Sequence, residues 1–475
     1  MHRAARRNNC SVVAAAPNPL EAVQPPITGA PGVVFGWVTD MNRYSGLSRV
    51  ALVAALGSIA AVAVLASGSA RAATTIAPFS NLQPSLAITE VVEQQGVYPS
   101  HDVEGGGGGG RLGFVYDFAG DYAPHGSSMA LGQILPTTGG ANAALYSLTG
   151  AAYGGDGVST FALPDLSGQA IRGVSTPTSA GEVSGTPTVA ITTAQLPVPM
   201  GSGATFDNKQ PALGMQTLID VSGIYPTASA STFVGQIAHF AGNFVPGGWS
   251  VADGSLLSVT DNPELFAVIG TTYGGDGVST FALPDLRGRL EVGADAAHPV
   301  GATFGADAEA LTGAQIAGAP VDNDQASLSI EYLINTNGAF PTRDGAGFDD
   351  SYPTLGQIVE YAGGVMPTGY LPAEGQILPI SQYAALFSIL GFTYGGDGYQ
   401  TFALPDFRGR TAIGAGGGYV LGQQVGADQV TLSVTTTSTG AVPEPATWTL
   451  MGLAFGLIGT VARRRRATLG LLAAS

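Results

Sequence analysis

The sequence predicts a mainly β chain with short helices, an α+β protein of three tandem modules between an N-terminal signal helix and a C-terminal transmembrane helix. Three observations carry that reading. A long, ordered motif returns at spacings of 120 and 121 residues. Glycine is abundant, 70 of 475 residues, about twice the usual share. Yet 45% of residues are hydrophobic and only 11% charged, so a turn-rich chain can still bury a core. Finally, an apolar run lies near each end.

Residues 1–40 have no clear periodicity and precede a better start at Met41; they read as a mis-assigned, disordered start. Residues 41–72 read as a secretory signal peptide. Arg43 and Arg49 supply a basic region, Val50–Ala66 is small and apolar, and Ala70-Arg71-Ala72 is a small-x-small cleavage pattern cut after Ala72. The apolar run is short for a lasting anchor. Cys10, the single cysteine, lies upstream of this signal, so the exported chain has no disulfide, thiol ligand or cysteine nucleophile.

The working part is acidic. Ala73–Gly440 holds 8 basic residues against 31 acidic ones, a net of −23, although the whole chain stands at −16. Such a surface repels phosphate backbones and anionic lipid, which argues against nucleic acid as a partner. Neutral glycans, cationic surfaces and divalent cations remain compatible with it.

Three copies of one pattern fill this stretch, with boundaries at 73–203, 204–318 and 319–440. Tyr153-Gly154-Gly155-Asp156-Gly157 returns as Tyr273–Gly277, with Gly274, Gly275 and Asp276, and as Tyr394–Gly398, with Gly395, Gly396 and Asp397. Phe-Ala-Leu-Pro-Asp follows at Phe161–Asp165, Phe281–Asp285 and Phe402–Asp406. Then come Leu286–Arg289 and Phe407–Arg410, degraded in the first copy to Leu166-Ser167-Gly168-Gln169. Each copy opens on an echo: Gln83-Pro84-Ser85-Leu86 leads to Gly96–Pro99, Gln210-Pro211 to Gly223–Pro226, and Gln325-Ala326 to Gly338–Pro341.

The opening segments are apolar and bounded by Pro or Gly, which predicts strands; Val234–Ala241 and Leu355–Ala362 also predict strands. Asn262–Ile269 and Gln382–Leu390 have helical spacing. Asp261 and Ser381 are the expected N-caps, and Gly270 and Gly391 the expected stops. The Gly105–Gly110 run reads as a flexible insert.

The recurring residues suit turns better than chemistry. Gly-Gly-Asp-Gly lacks the lysine and following helix of a phosphate loop. Its glycines supply positive φ, and its aspartate can close the turn on its own backbone. A weak calcium contact from Asp156, Asp276 or Asp397 is the alternative, though a series of acids at loop spacing is missing. In Pro284-Asp285-Leu286-Arg287-Gly288-Arg289 and in Pro405, Asp406, Arg408 and Arg410, carboxylate and guanidinium form a charge-assisted clamp on a sharp turn. Trp249, with Tyr370 as its counterpart, reads as a buried anchor or as a platform for stacking on a sugar. No nucleophile–base pair, metal cluster or cofactor loop recurs, so no enzyme and no cofactor is expected.

The order Gly-Gln-Ile, Pro-Gly-Gly-Trp, a short helix with Leu-Phe, Tyr-Gly-Gly-Asp-Gly and Phe-Ala-Leu-Pro-Asp-Leu-Arg-Gly-Arg resembles the phage tail collar domain. The middle copy matches best, from Gly235-Gln236-Ile237 through Pro246–Trp249 and Leu265-Phe266 to Tyr273–Arg289. The resemblance covers about Phe79 to Val434, three times over. Its relatives include short tail-fibre proteins and microcystin-dependent proteins. It implies a trimerising β module of adhesion or assembly without catalytic activity, and here a homotrimer or an intrachain pseudo-trimer. Relatives often carry His-x-His after Gln-Leu-Pro; this chain has Val198-Pro199-Met200 after Gln195-Leu196-Pro197, so that axial metal site is not carried over. The histidines beyond the signal peptide, His101, His125, His239 and His298, are dispersed in sequence, and a nitrogen-ligated metal is not expected.

At the far end, Val442-Pro443-Glu444-Pro445 precedes apolar Ala446–Ala462 and then Arg463, Arg464, Arg465 and Arg466. This resembles a PEP-CTERM sorting signal over 441–466, followed by a cytoplasmic tail at 467–475. The apolar run can just cross a bilayer, with the arginines holding its end on the cytoplasmic side. The resemblance implies a Gram-negative host whose exosortase-type machinery is a partner. The chain is expected in the cell envelope by its membrane helix, or outside the cell after processing. The leading functional reading is an exported, non-catalytic adhesion or structural protein with surface glycans as candidate ligands. A prophage-derived tail-fibre-like assembly component is the alternative, and an unrecognised secreted hydrolase the third.

Overall fold

The computed structural model describes residues 73–99, 112–174, 180–198, 200–226, 232–342 and 353–437. The signal peptide, the Gly105–Gly110 insert, the sorting segment and both extreme ends lie outside the described residues. Among the described residues no helix is long and apolar enough to cross a membrane.

Each copy builds the same four principal elements. The first has β1 (Ser85–Glu93), β2 (Phe114–Phe118), α1 (Gly140–Thr149) and β3 (Ala170–Gly173). The second has β4 (Ala212–Asp220), β5 (Gln236–Phe240), α2 (Pro263–Ile269) and β6 (Leu290–Gly293). The third has β7 (Ser327–Asn335), β8 (Gln357–Tyr361), α3 (Ala384–Leu390) and β9 (Thr411–Gly414). Opening and central strands pair antiparallel within a copy, as Thr89 with Phe118, Gln216 with Phe240 and Glu331 with Tyr361.

The short helices bury one apolar stripe each, Leu265, Val268 and Ile269 in α2 and Leu386, Ile389 and Leu390 in α3. Gly270 and Gly391 end them, donating their N–H groups to the carbonyls of Phe266 and Phe387. The N-caps differ from expectation: they are Asn262 and Tyr383, not Asp261 and Ser381. Pro263, whose fixed φ suits the first helical position, starts α2 later than the polar pattern alone implies.

The copies then lock together. The closing strand β3 runs parallel to β4 of the second copy, β6 parallel to β7 of the third, and β9 parallel to β1 of the first. The three central strands pair among themselves: His239 with Val115, Ile237 with Glu360, and Ile358 with Asp117. The strands are thus buried on both faces, so the opening runs do not alternate, and even their polar members Thr89, Glu90, Gln216 and Thr217 are buried.

A ring of asparagines repeats the same cyclic order. Asn81 Nδ2 donates to Lys209 O at 2.5 Å, Asn208 Nδ2 to Asp324 O at 3.0 Å, and Asn323 Nδ2 to Leu82 O at 2.8 Å. The circle is closed by Ala73–Ile76, which pairs antiparallel with Val434–Thr437. Beside that closure, Ile76, Phe79, Phe206 and Val321 from all three copies form a small core of their own. The described residues are one compact unit, an intrachain pseudo-trimer about a common axis.

Glycine is required where the closing strands end. A Cβ on Gly173, Gly293 or Gly414 would stand 2.2, 2.1 or 2.1 Å from the carbonyl oxygen of Leu286, Phe407 or Leu166 in the neighbouring copy. Only a residue without a side chain admits that approach.

Candidate functional site

The Gly-Gly-Asp-Gly segments are tight hairpin turns. Gly155, Gly275 and Gly396 have φ of 90, 94 and 93°, and a Cβ there would meet the backbone of Phe161, Phe281 or Phe402 within 2.5 Å. Asp156 Oδ1 accepts the N–H groups of Val158, Ser159 and Thr160 at 2.7–2.9 Å. Asp276 and Asp397 accept the equivalent three. The Ser159 and Ser279 hydroxyls, together with these N–H groups, hold Asp156 and Asp276 well below the usual carboxylate range. In Asp397 the N–H groups of Thr401, Tyr399 and Gln400 lower the pKa to about 2. These carboxylates are committed to their own turns.

The clamp is also geometric. Arg287 grips Asp285 through Nε at 2.8 Å and a second nitrogen at 3.0 Å, while Arg289 donates to the Asp285 carbonyl at 3.0 Å. Arg408 and Arg410 repeat this around Asp406. In the first copy Gln169 replaces the second arginine, donating to the Asp165 carbonyl at 2.9 Å. The prolines at 284 and 405 precede these turns on the hairpin that carries the Gly-Gly-Asp-Gly loop.

Trp249 and Tyr370 do not serve as ligand contacts. They are 6% and 5% exposed. Trp249 packs against Phe114 of the first copy at 5.2 Å, and Tyr370 against Phe233 of the second at 5.3 Å. Both aromatics fill the seams between copies, so neither offers a ring face to a sugar.

Exposed apolar side chains lie elsewhere. After the opening strands, Val97, Tyr98, Ile224 and Phe340 are between 43% and 59% exposed. At the hairpin tips Val158, Val278 and Tyr399 are 83%, 82% and 91% exposed. The hairpin-tip residues stand at one matching position in the copies; after the opening strands Val97 matches Ile224, and Tyr98 matches Phe340.

A buried polar cluster on the pseudo-threefold axis is the feature the sequence pattern left unread. Asp117, His239 and Glu360 occupy the same position of β2, β5 and β8, and Glu291 of β6 and Glu90 of β1 join them. His239 Nε2 is 3.0 Å from Glu291 Oε2, and Thr217 Oγ1 is 3.3 Å from Nδ1. Burial, then the charge of Asp117, pushes the Glu90 carboxyl well up; burial and Asp117 do the same to Glu360. Burial raises Asp117 to about 7. Burial opposes charge on His239, but Glu291, Glu360 and Asp117 overcome it and lift the imidazole to about 9. Among the described residues, His239, Glu291 and Glu360 form a group able to hold a metal, each offering one ligand atom within 4.8 Å of the others. Aligning the three copies by sequence would have exposed the signal: a charged residue recurring at one inward position of an otherwise apolar strand.

Compared with known families, the chain matches the phage tail collar domain at residues 113–171, 235–291 and 356–412, once per copy. The PEP-CTERM protein-sorting motif matches residues 441–466. No curated protein and no solved structure matches the chain. Each collar match runs from the central strand into the closing strand and leaves out the opening strand.

Proposed function

From a chain that carries three phage tail collar domains and a PEP-CTERM sorting motif, and is therefore an exported, envelope-sorted, tail-fibre-like structural protein, we propose a non-catalytic adhesion role at the cell surface or in the extracellular matrix. The observation that carries it is the polarity of the ring. The two ends of the described chain pair with one another at Ala73–Ile76 and Val434–Thr437. From that end the nine-residue opening strands run outward, roughly 30 Å each. A few residues beyond their ends stand Tyr98, Ile224 and Phe340, all exposed.

Three exposed apolar contact points, one in each copy, favour multivalent weak binding, in which avidity rises without any stronger single contact. Surface glycans suit such contacts, because aromatic and aliphatic faces pack on apolar sugar faces while an acidic surface repels anionic partners. The sorting motif favours a host-envelope role over a prophage assembly role, since a virion part needs no export address.

The test is binding of the full chain to a glycan array and to cells, beside a variant carrying Tyr98→Ser, Ile224→Ser and Phe340→Ser. Multivalent binding that falls at least about tenfold in the variant supports the reading. Binding that is absent in both, or equal in both, removes the adhesive role of this end.

A further inference from the structure

The axial cluster poses a problem of charge. Glu90, Asp117, Glu291, Glu360 and His239 are each 4% exposed or less. Among the described residues, His239 is the basic group paired with these carboxylates, through Glu291. Four ionised carboxylates against one imidazolium leave a strong excess of negative charge in the interior, which is highly unfavourable without a counter-ion or added protons. Hydrogen bonding relieves it only in part. Glu90 and Asp117 bond to each other by sharing a proton, but both oxygens of Glu90 and Oδ2 of Asp117 find no other donor, and Glu90 stands in the field of Glu360 and Glu291.

The geometry is close to that of a coordination shell. Ligand atoms about 2.0–2.2 Å from one ion stand roughly 3–3.5 Å apart, and His239 Nε2 and Glu291 Oε2 are 3.0 Å apart. A ligand atom of Glu360 lies within 4.8 Å of both, so a small side-chain rotation brings it in. Thr217, beside Nδ1, orients the ring and leaves Nε2 facing the carboxylates.

We propose that the pseudo-threefold axis binds one divalent transition ion of the zinc or manganese type, with His239, Glu291 and Glu360 as ligands and Asp117, backed by Glu90, as the adjoining carboxylate. An imidazole nitrogen among carboxylate oxygens suits these ions better than calcium or magnesium, which prefer shells of oxygen alone. The role is structural: the cluster draws residues from all three copies, so the ion ties them together at their centre. The site depends on fusion of the copies. Three identical chains would place one residue type three times at this position, whereas this chain supplies Asp117, His239 and Glu360 once each.

The experiment uses the full chain, incubated with Zn²⁺ or Mn²⁺ alone, freed of loose ion by gel filtration, and assayed by plasma mass spectrometry. One ion per chain is expected, with occupancy lower by about tenfold or more in His239→Gln and Glu360→Gln. Loss of bound ion to chelator should lower the unfolding temperature of the wild type. If a variant does not fold, Co²⁺ loaded into the wild type provides the second readout, an intense visible spectrum of low coordination number. A folded chain that retains neither ion overturns the proposal. So does unchanged occupancy in both variants, or a Co²⁺ spectrum indistinguishable from the aqueous ion.

Discussion

At Gly293 the backbone of one copy passes so close to Phe407 of the next that a single methyl group has no room. Gly293→Ala should therefore force the seam between the second and third copies apart, at a cost of about 1–3 kcal/mol. Thermal unfolding of the variant checks this: the midpoint falls, and an unchanged midpoint would mean the seam is looser than described. Nothing local marks this glycine, because its constraint comes from a residue of the next module. The same is true of Trp249, whose burial is set by Phe114 far away in sequence. By contrast, Gly155 and Asp156 were legible from sequence alone, since a turn that closes on its own N–H groups needs no distant partner.

Among the elements, the Gly-Gly-Asp-Gly hairpin turn has a definite acid response. Asp397 is lowered to about 2 in the folded chain, against about 3.9 for a free aspartate. A carboxylate whose pKa is depressed by folding stabilises the fold fully above the unfolded value, and that contribution is lost as pH falls through the folded one. The turn should thus hold down to about pH 4 and loosen toward pH 2. Carbon-13 NMR titration of the Asp397 carboxyl tests this directly; a midpoint near 4 would mean that the three N–H bonds are not made in solution. The helices were legible as to place and end, through the apolar stripe and Gly270 or Gly391. Their starts were not, because a proline in one and a preceding turn in the other moved the cap by a residue or two.

For the whole molecule, the repeat count followed from motif spacing, and of the two arrangements expected for three copies the intrachain pseudo-trimer is the one formed; the strand pairs that close it were not legible. Parallel pairing of β9 with β1 joins opposite ends of the described chain, and no local pattern encodes which strand completes which. Of the axial cluster, the charged position shared by Asp117, His239 and Glu360 is visible once the copies are aligned, whereas Glu90 and Glu291 join it only when all three copies close. The closed ring predicts a monomer by light scattering and one cooperative unfolding transition, because each module completes its neighbour's sheet. Three separable transitions would indicate independent modules, and a trimer of full chains would mean that the copies exchange between molecules.

Pairing of Ala73–Ile76 with Val434–Thr437 also acts as a clock for biogenesis. A polypeptide threaded through an export channel from its amino end delivers the first partner early and the second almost last. Contacts of such long range form late. Until β9 emerges, the first copy must wait with one edge of β1 open, a state prone to wrong pairing. The ring snaps shut only as the segment immediately before the sorting motif arrives, so completion of the body coincides with delivery of its address.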